Sequence, residues 1–266
     1  MIVPIVLTIA GSDSSGGAGI QADLKTIAAN GCYGASVITS VTSQNTLGIQ
    51  DVFDLPSKVI KSQFNAVVSD LDVQVVKLGM LGMLGSKEAI KMVHKLLKDY
   101  MIPVVFDPVM VSSDGTVLLE EDAIELLKTT LIKEAFLLTP NIPEAEVLAG
   151  FEIKTVEDMK AACLQIDAPN VLLKGGHLEG NILVDILYHD KQFYEYKHRK
   201  IITQNTHGTG CTLASAIASH VALEDDLPTA CEEAIEYVKK AIIDNYPTGQ
   251  GAGSLNHFFM NGKKNG

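Results

Sequence analysis

Tryptophan is absent and only 6% of the residues are aromatic, so aliphatic side chains have to fill the interior. Cysteine is sparse too. Cys32, Cys163, Cys211 and Cys231 lie far apart with no C-x-x-C pair, which excludes a disulfide framework and a zinc knuckle and suits reduced thiols in a cytoplasmic protein. Basic residues number 21 against 32 acidic ones, for a formal charge of −11. A phosphate backbone is held by concentrated Lys and Arg, so a nucleic-acid partner is excluded in favour of a small molecule. No apolar run reaches the roughly 18 residues that a membrane-spanning helix needs. The apolar start lacks the basic flank and cleavage site of a signal peptide and reads as a strand. No G-x-x-x-x-G-K-[ST] occurs, so a P-loop is excluded. Linkers, low-complexity tracts and internal repeats are missing as well, which leaves a single domain over residues 1–266 with 260–266 as a frayed tail.

What is present is 47% hydrophobic residues and a mean hydropathy of +0.20, arranged as β-branched runs, loops rich in Gly, Asp, Asn or Thr, and longer segments of helical periodicity. This is the pattern of βα units. Strands are expected at Val3 to Ala10, Ala35 to Val41, Val73 to Lys77, Val104 to Asp107, Ala135 to Thr139 and Val171 to Lys174. Helices are expected to begin near Gly19, Pro56, Ser86, Glu121, Pro143, Thr155, Gly210 and Pro228. Ser86 and Thr155 read as N-caps, and Gly31 and Gly150 as helix stops. Ile182 to Tyr188 and Phe193 to Lys197 read as a small antiparallel hairpin at a sheet edge. In an open parallel sheet ligands bind beyond the carboxyl ends of the strands, and there this chain places Gly11-Ser12-Asp13, Gly79-Met80, Asp107-Pro108, Asn141 with Glu144, and Lys174-Gly175-Gly176.

Thr206-His207-Gly208-Thr209-Gly210-Cys211-Thr212 precedes an apolar helix. Its glycines let backbone N–H groups turn into one hollow, where the helix dipole favours negative charge, so Gly208 to Cys211 form a candidate anion hole for a phosphoryl group; a plain glycine turn is the other reading. Gly17-Ala18-Gly19-Ile20-Gln21-Ala22 fits a dinucleotide fingerprint, but the second strand carries no carboxylate to complete it. Glu144 beside Asn141 either compensates a helix dipole or, with Asp107, supplies oxygen ligands for Mg²⁺. Lys174 either meets nucleotide phosphates or is a solvated strand end. Cys211 is either inert or drawn towards thiolate by its helix N-terminus; a Cys211–His207 nucleophile lacks a third orienting group.

Ala10 to Lys25 (AGSDSSGGAGIQADLK), Ser36 to Thr46 (SVITSVTSQNT), Lys77-Leu78-Gly79-Met80, Asp107-Pro108-Val109-Met110, Thr139 to Glu146 (TPNIPEAE), Leu173 to His177 (LKGGH) and His207-Gly208-Thr209-Gly210-Cys211 resemble, in this order, the hydroxymethylpyrimidine/phosphomethylpyrimidine kinases of thiamine biosynthesis, in the ribokinase superfamily. The resemblance implies an α/β fold with a doubly wound, mostly parallel sheet flanked by helices, a homodimer, and two successive Mg-ATP-dependent phosphorylations. It places Gly11, Asp23, Gln44 and Met80 around the pyrimidine, Asp107 and Glu144 at Mg²⁺, Lys174, Asn141 and Thr209 at ATP, and Gly208, Thr209, Gly210 and Cys211 at the transferring phosphoryl group. Sugar kinases of the superfamily are similar but carry an aspartate base where this chain has Cys211. A Cys211 thiolate is therefore the first candidate proton acceptor, and another group or solvent the second. Some pyridoxal kinases look much alike but carry a cysteine in the flap after Met110; the flap here, residues 111–116, has none, which favours the pyrimidine.

Overall fold

The computed structural model describes residues 3–79, 87–110, 119, 121–176, 180–245 and 247–259. Its strands, in chain order, are β1 (Ile5–Asp13), β2 (Tyr33–Asn45), β3 (Gly48–Asp54), β4 (Val73–Leu78), β5 (Val104–Phe106), β6 (Leu137–Leu138), β7 (Val171–Leu173), β8 (Ile182–His189) and β9 (Gln192–Arg199). The helices are α1 (Gly19–Ala29), α2 (Ser57–Val68), α3 (Lys87–Tyr100), α4 (Glu121–Leu127), α5 (Ile142–Ala149), α6 (Val156–Gln165), α7 (Thr209–Ala222) and α8 (Leu227–Ile243).

Apolar runs build a sheet buried on both faces because successive side chains point to opposite sides. Leu7, Ile9, Val76, Leu78, Phe106, Leu138 and Leu173 face one core, packed with Ile60 of α2, Ile90 and Val93 of α3, Ala145 of α5 and Ala162 of α6. Val6, Val75, Val105, Leu137 and Leu172 face the other, covered by Ile27 of α1, Ile217 of α7 and Ala234 of α8. The strand order is β3-β2-β1-β4-β5-β6-β7-β8-β9, parallel from β2 to β7 with β3, β8 and β9 antiparallel at the flanks. From β1 the chain winds first towards β2 and β3, then crosses to β4 on the other side. That reversal opens a crevice beyond the carboxyl ends of β1 and β4.

The doubly wound sheet and the edge hairpin are as expected, and two elements differ. β2 runs four residues past Val41 to Asn45, because it pairs with β3, which the sequence pattern does not announce. Leu47, Ile49 and Phe53 around and along β3 are exposed, so neither face shows the burial alternation that marks a strand. α4 continues through Lys128–Ile132 as a π-helical turn. Thr155 caps α6 in a reciprocal box with Asp158, and Gly150 closes α5 at φ +82°. The Ser86 cap and Met80 lie outside the described residues.

Candidate active site

At the ends of β5, β6 and β7, Asp107 is buried and Lys174 Nζ donates to its Oδ1 at 2.8 Å. Thr139 Oγ1 donates to the same oxygen at 3.2 Å. Lys174 is bridged to Asn141 through the backbone. Asn141 and Glu144 form a capping box at the start of α5: Glu144 N–H donates to Asn141 Oδ1 and Asn141 N–H to Glu144 Oε2, both at 2.9 Å. Such a box satisfies two orphan donors of the first turn and also turns the Glu144 carboxyl back towards the strand ends. Burial pushes that carboxyl up to about 7, with repulsion from Asp107 adding to it and Lys174 opposing. Burial works against the Lys174 charge, but Asp107 and Glu144 overcome it and hold the ammonium above the usual lysine range.

The amino end of α7 closes on this group. A Cβ on Gly210 would stand 3.1 Å from Asp107 Oδ2 and 3.5 Å from Lys174 Nζ, so only a glycine leaves an opening there. Gly208, the N-cap, has φ +83°, and a Cβ on it would fall 1.8 Å from Gly17 O. The two glycine-rich loops thus touch backbone to backbone, and Thr209 Oγ1 donates to Thr206 O at 2.6 Å to tighten the turn. Gly11 is buried under the first loop, its carbonyl 2.3 Å from where a Cβ of Gly19 would be. The free N–H groups of the first turn of α7 therefore open towards Asp107 and Lys174, the arrangement that holds an anion.

Two expectations for this site are corrected by the geometry. Asp23 is fully buried and does not face the crevice: its carboxylate accepts from Thr8 Oγ1 at 2.6 Å, Ser215 Oγ at 2.8 Å and Lys77 Nζ at 2.8 and 2.9 Å. Cys211 is not poised as a thiolate, because burial pushes its thiol up to about 11, with Lys77 opposing and Asp23 and Asp107 adding. The residue as a whole is only partly buried. Gln44 stays at the crevice, on the end of β2, with Thr42 Oγ1 at 3.2 Å from its Oε1 and His207 Nε2 at 3.4 Å from its Nε2. Sequence reasoning gave Lys77 no role, and it placed Asp13 at the strand ends without a partner. A lysine inside an apolar strand was the available signal for Lys77; for Asp13 no spacing pointed to His207, which it meets at 3.0 Å.

Two carboxylates, one of them paired to lysine, fall short of an all-protein metal cage, and among the described residues no group of three His, Cys, Asp or Glu side chains gathers. The donor set, the Asp107 and Glu144 carboxyls at neighbouring strand ends, fits Mg²⁺ that keeps waters and shares substrate phosphates, and a cation there would offset the burial that disfavours the Glu144 charge. A cavity of about 280 Å³ lined by Lys133, Leu148 and Asp167 among others shares no residue with this cluster, and its lysine and aspartate pair with each other at 3.2 Å.

Residues 13–256 match the family model for phosphomethylpyrimidine kinase. The chain belongs to that family. A hydroxymethylpyrimidine/phosphomethylpyrimidine kinase of Streptomyces coelicolor is 43% identical over 257 residues, 96% of this chain and 94% of the relative. A bifunctional thiamine biosynthesis protein of Geobacter sulfurreducens is 46% identical over 255 residues, and there the chain spans 95% of itself but 52% of the relative. Among solved structures, phosphomethylpyrimidine kinase from Clostridium difficile matches with TM-score 0.80 at 46% identity, covering 90% of this chain and 99% of that one. An ADP complex of Bacillus subtilis pyridoxal kinase matches with TM-score 0.90 at 33% identity, covering 98% and 100%. Membership makes the chain an ATP-dependent phosphotransferase with a ribokinase-like fold, as the seven sequence segments implied. No helix among the described residues is long and apolar enough to cross a membrane.

Proposed function

We propose that this phosphomethylpyrimidine kinase moves the γ-phosphoryl group of ATP onto the hydroxymethyl oxygen of 4-amino-5-hydroxymethyl-2-methylpyrimidine, and then a second onto the resulting monophosphate, within thiamine biosynthesis. The observation that carries the chemistry is the Lys174–Asp107 pair at 2.8 Å set against Gly210 at the amino end of α7. Phosphoryl transfer runs through a loose, charge-rich transition state, so catalysis is chiefly positioning and charge stabilisation. Lys174, with Asn141 and Thr209 beside it, holds phosphate oxygens, while the N–H groups left free in the turn from Gly208 to Cys211, where Thr209 N–H donates to Thr206 O at 3.2 Å, stabilise the charge that builds on the group in flight. Asp107 and Glu144 are the residues that hold Mg²⁺, which when bound neutralises the phosphates. Gly11 and Gln44 border the heterocycle, with Met80 assigned there by the family resemblance. Cys211 stays a neutral thiol in this reading, and the hydroxymethyl proton is lost late, to phosphoryl oxygen or solvent.

The test is ATP consumption by the purified protein with Mg²⁺ and, in parallel, the hydroxymethylpyrimidine, its monophosphate, and pyridoxal. Turnover of both pyrimidines is expected. Turnover of pyridoxal alone, the activity named for the structural relative with the higher TM-score, would keep the machinery and overturn the substrate. In the same reading the protein is a cytoplasmic homodimer; exposed Leu47, Ile49 and Phe53 around edge strand β3 support a self-association face. Light scattering is expected to give twice the 28.5 kDa chain mass, and a monomer mass would refute the dimer.

A further inference from the structure

Asp13, His207 and Gln44 cluster where the two glycine loops meet the end of β2, and phosphoryl transfer as described assigns the first two nothing to do. Asp13 Oδ1 accepts from Ser15 N–H at 2.8 Å and Ser15 Oγ at 2.7 Å. Its Oδ2 accepts from Gly17 N–H at 3.1 Å, Ala18 N–H at 2.8 Å and His207 Nε2 at 3.0 Å. Burial opposes ionisation there, but the hydrogen bonds from His207 and the loop outweigh it and hold the carboxyl far below its usual range. An ionised carboxylate can only accept. His207 Nε2 therefore carries a proton and directs it at Asp13.

That proton decides the orientation of Gln44. Its amide nitrogen lies 3.4 Å from the same His207 Nε2, which sets two donors face to face. On the other side its oxygen lies 3.2 Å from Thr42 Oγ1, whose single proton already has Ser12 O as acceptor at 3.1 Å. Nitrogen and oxygen of a side-chain amide exchange places by a half-turn with almost no change in shape. After that half-turn Oε1 becomes the second, longer acceptor at 3.4 Å of an imidazole N–H whose main acceptor is Asp13 Oδ2 at 3.0 Å, the amide nitrogen donates one proton to Thr42 Oγ1, and no two donors face each other.

We propose that His207, held by Asp13, is a positioning residue that locks the Gln44 amide in this sense and thereby sets substrate specificity. The inference rests on the functional reading above, in which Gln44 borders the heterocycle. With Oε1 turned to His207, the amide still has one free lone pair and one free N–H for the ligand. A 4-aminopyrimidine offers the complement, an exocyclic amino donor beside a ring-nitrogen acceptor. Pyridoxal has an aldehyde oxygen, an acceptor, in the place of that amino group next to the hydroxymethyl carbon, so it pairs only with the amide turned the other way. Backbone bonds make the position of the imidazole definite: His207 N–H donates to Gly253 O at 3.2 Å, and its ring fills the space that a Cβ on Gly17 would occupy, 2.3 Å from His207 Cδ2.

Two measurements test this. In the ¹⁵N-labelled wild-type protein at neutral pH the His207 ring is expected to be protonated at Nε2, and a bare Nε2 overturns the proposal. In kinetics, His207→Leu is expected to lower kcat/KM for the hydroxymethylpyrimidine by about 30-fold or more and to narrow its preference over pyridoxal, followed as substrate or competitive inhibitor, by about tenfold. His207→Gln, which keeps a donor near the Nε2 position, is expected to hold that preference within about threefold. A purely structural role would scale both substrates alike, and an unchanged ratio in His207→Leu overturns the inference. Should that variant fail to fold, Gln44→Glu, which leaves His207 in place and presents acceptors on both sides, is expected to lose the preference too; a retained preference overturns the inference. Wild-type turnover of pyridoxal alone would instead sink the functional reading, leaving the imidazole measurement to be read by itself.

Discussion

A thiol in the first turn of a helix is drawn towards thiolate by the dipole, yet Cys211 sits where burial and the carboxylates of Asp23 and Asp107 outweigh that pull and the charge of Lys77. A thiol at about 11 supplies almost no base at neutral pH. Cys211→Ala is therefore expected to lower kcat by less than about tenfold and to leave the shape of the pH–rate profile unaltered, measured by steady-state turnover of the hydroxymethylpyrimidine; a base removed outright would cost roughly 10²-fold or more. The residue scale is where sequence reasoning had least purchase. Residue types in their strand-end positions singled out Asp107, Glu144 and Lys174 while leaving a structural reading open for Glu144 and Lys174, and the fold brings the three together. Asp23 was assigned to the ligand because its partner Lys77 is 54 residues away, with both side chains 0% exposed. Only the fold brings that pair together, and once paired, breaking it leaves a buried charge uncompensated.

Among the elements, α7 and the loop before it depend on glycine for two separable reasons. Gly208 needs its positive φ and also needs to lack a Cβ, since Gly17 O would stand 1.8 Å away. Gly31 shares the positive φ, +81°, but has nothing within 4 Å of a Cβ. Gly208→Ala is expected to displace the anion hole and cost about 10²-fold in kcat, the scale of losing one oxyanion donor. Gly31→Ala is expected to cost about 1 kcal/mol of stability from left-handed strain alone and to leave kcat unchanged, with urea unfolding and turnover measured on both. Equal kinetic losses in the two variants would mean that backbone strain alone governs the site. The βα alternation, the caps at Thr155 and Gly150 and the edge hairpin were legible because each rests on local chemistry. β3 was not, since an edge strand exposed on both faces has no burial period, and the contact between the two glycine loops was not, since it is made by atoms that every residue has.

At the scale of the whole molecule, two buried groups tie stability to pH in opposite senses. His257, packed against Tyr237 and Thr26 and near Lys25, is pushed by burial down to about 4 from 6.5. The unfolded chain takes up a proton at 6.5 that the folded chain refuses until about 4, so its contribution is present above 6.5 and is lost as pH falls towards 4. Glu144 behaves the other way, because its folded carboxyl titrates at about 7 against 4.5 unfolded. Its contribution is present below 4.5 and is lost as pH rises through 7. Between 4.5 and 6.5 the two slopes oppose each other, and from 6.5 to about 7 that of Glu144 stands without its counterpart. Glu144→Gln is accordingly expected to remove the decline in stability between about pH 6.5 and 7.5 while leaving the acid limb below about 6 in place, measured by urea unfolding at half-unit intervals. The same raised carboxyl links stability to the reaction, since a cation beside Glu144 and Asp107 favours the ionised form. Mg-ATP binding at about pH 6 is expected to release a proton that Glu144→Gln does not release, read by calorimetry in buffers of different ionisation enthalpy. Identical proton release by the two proteins would place the cation elsewhere.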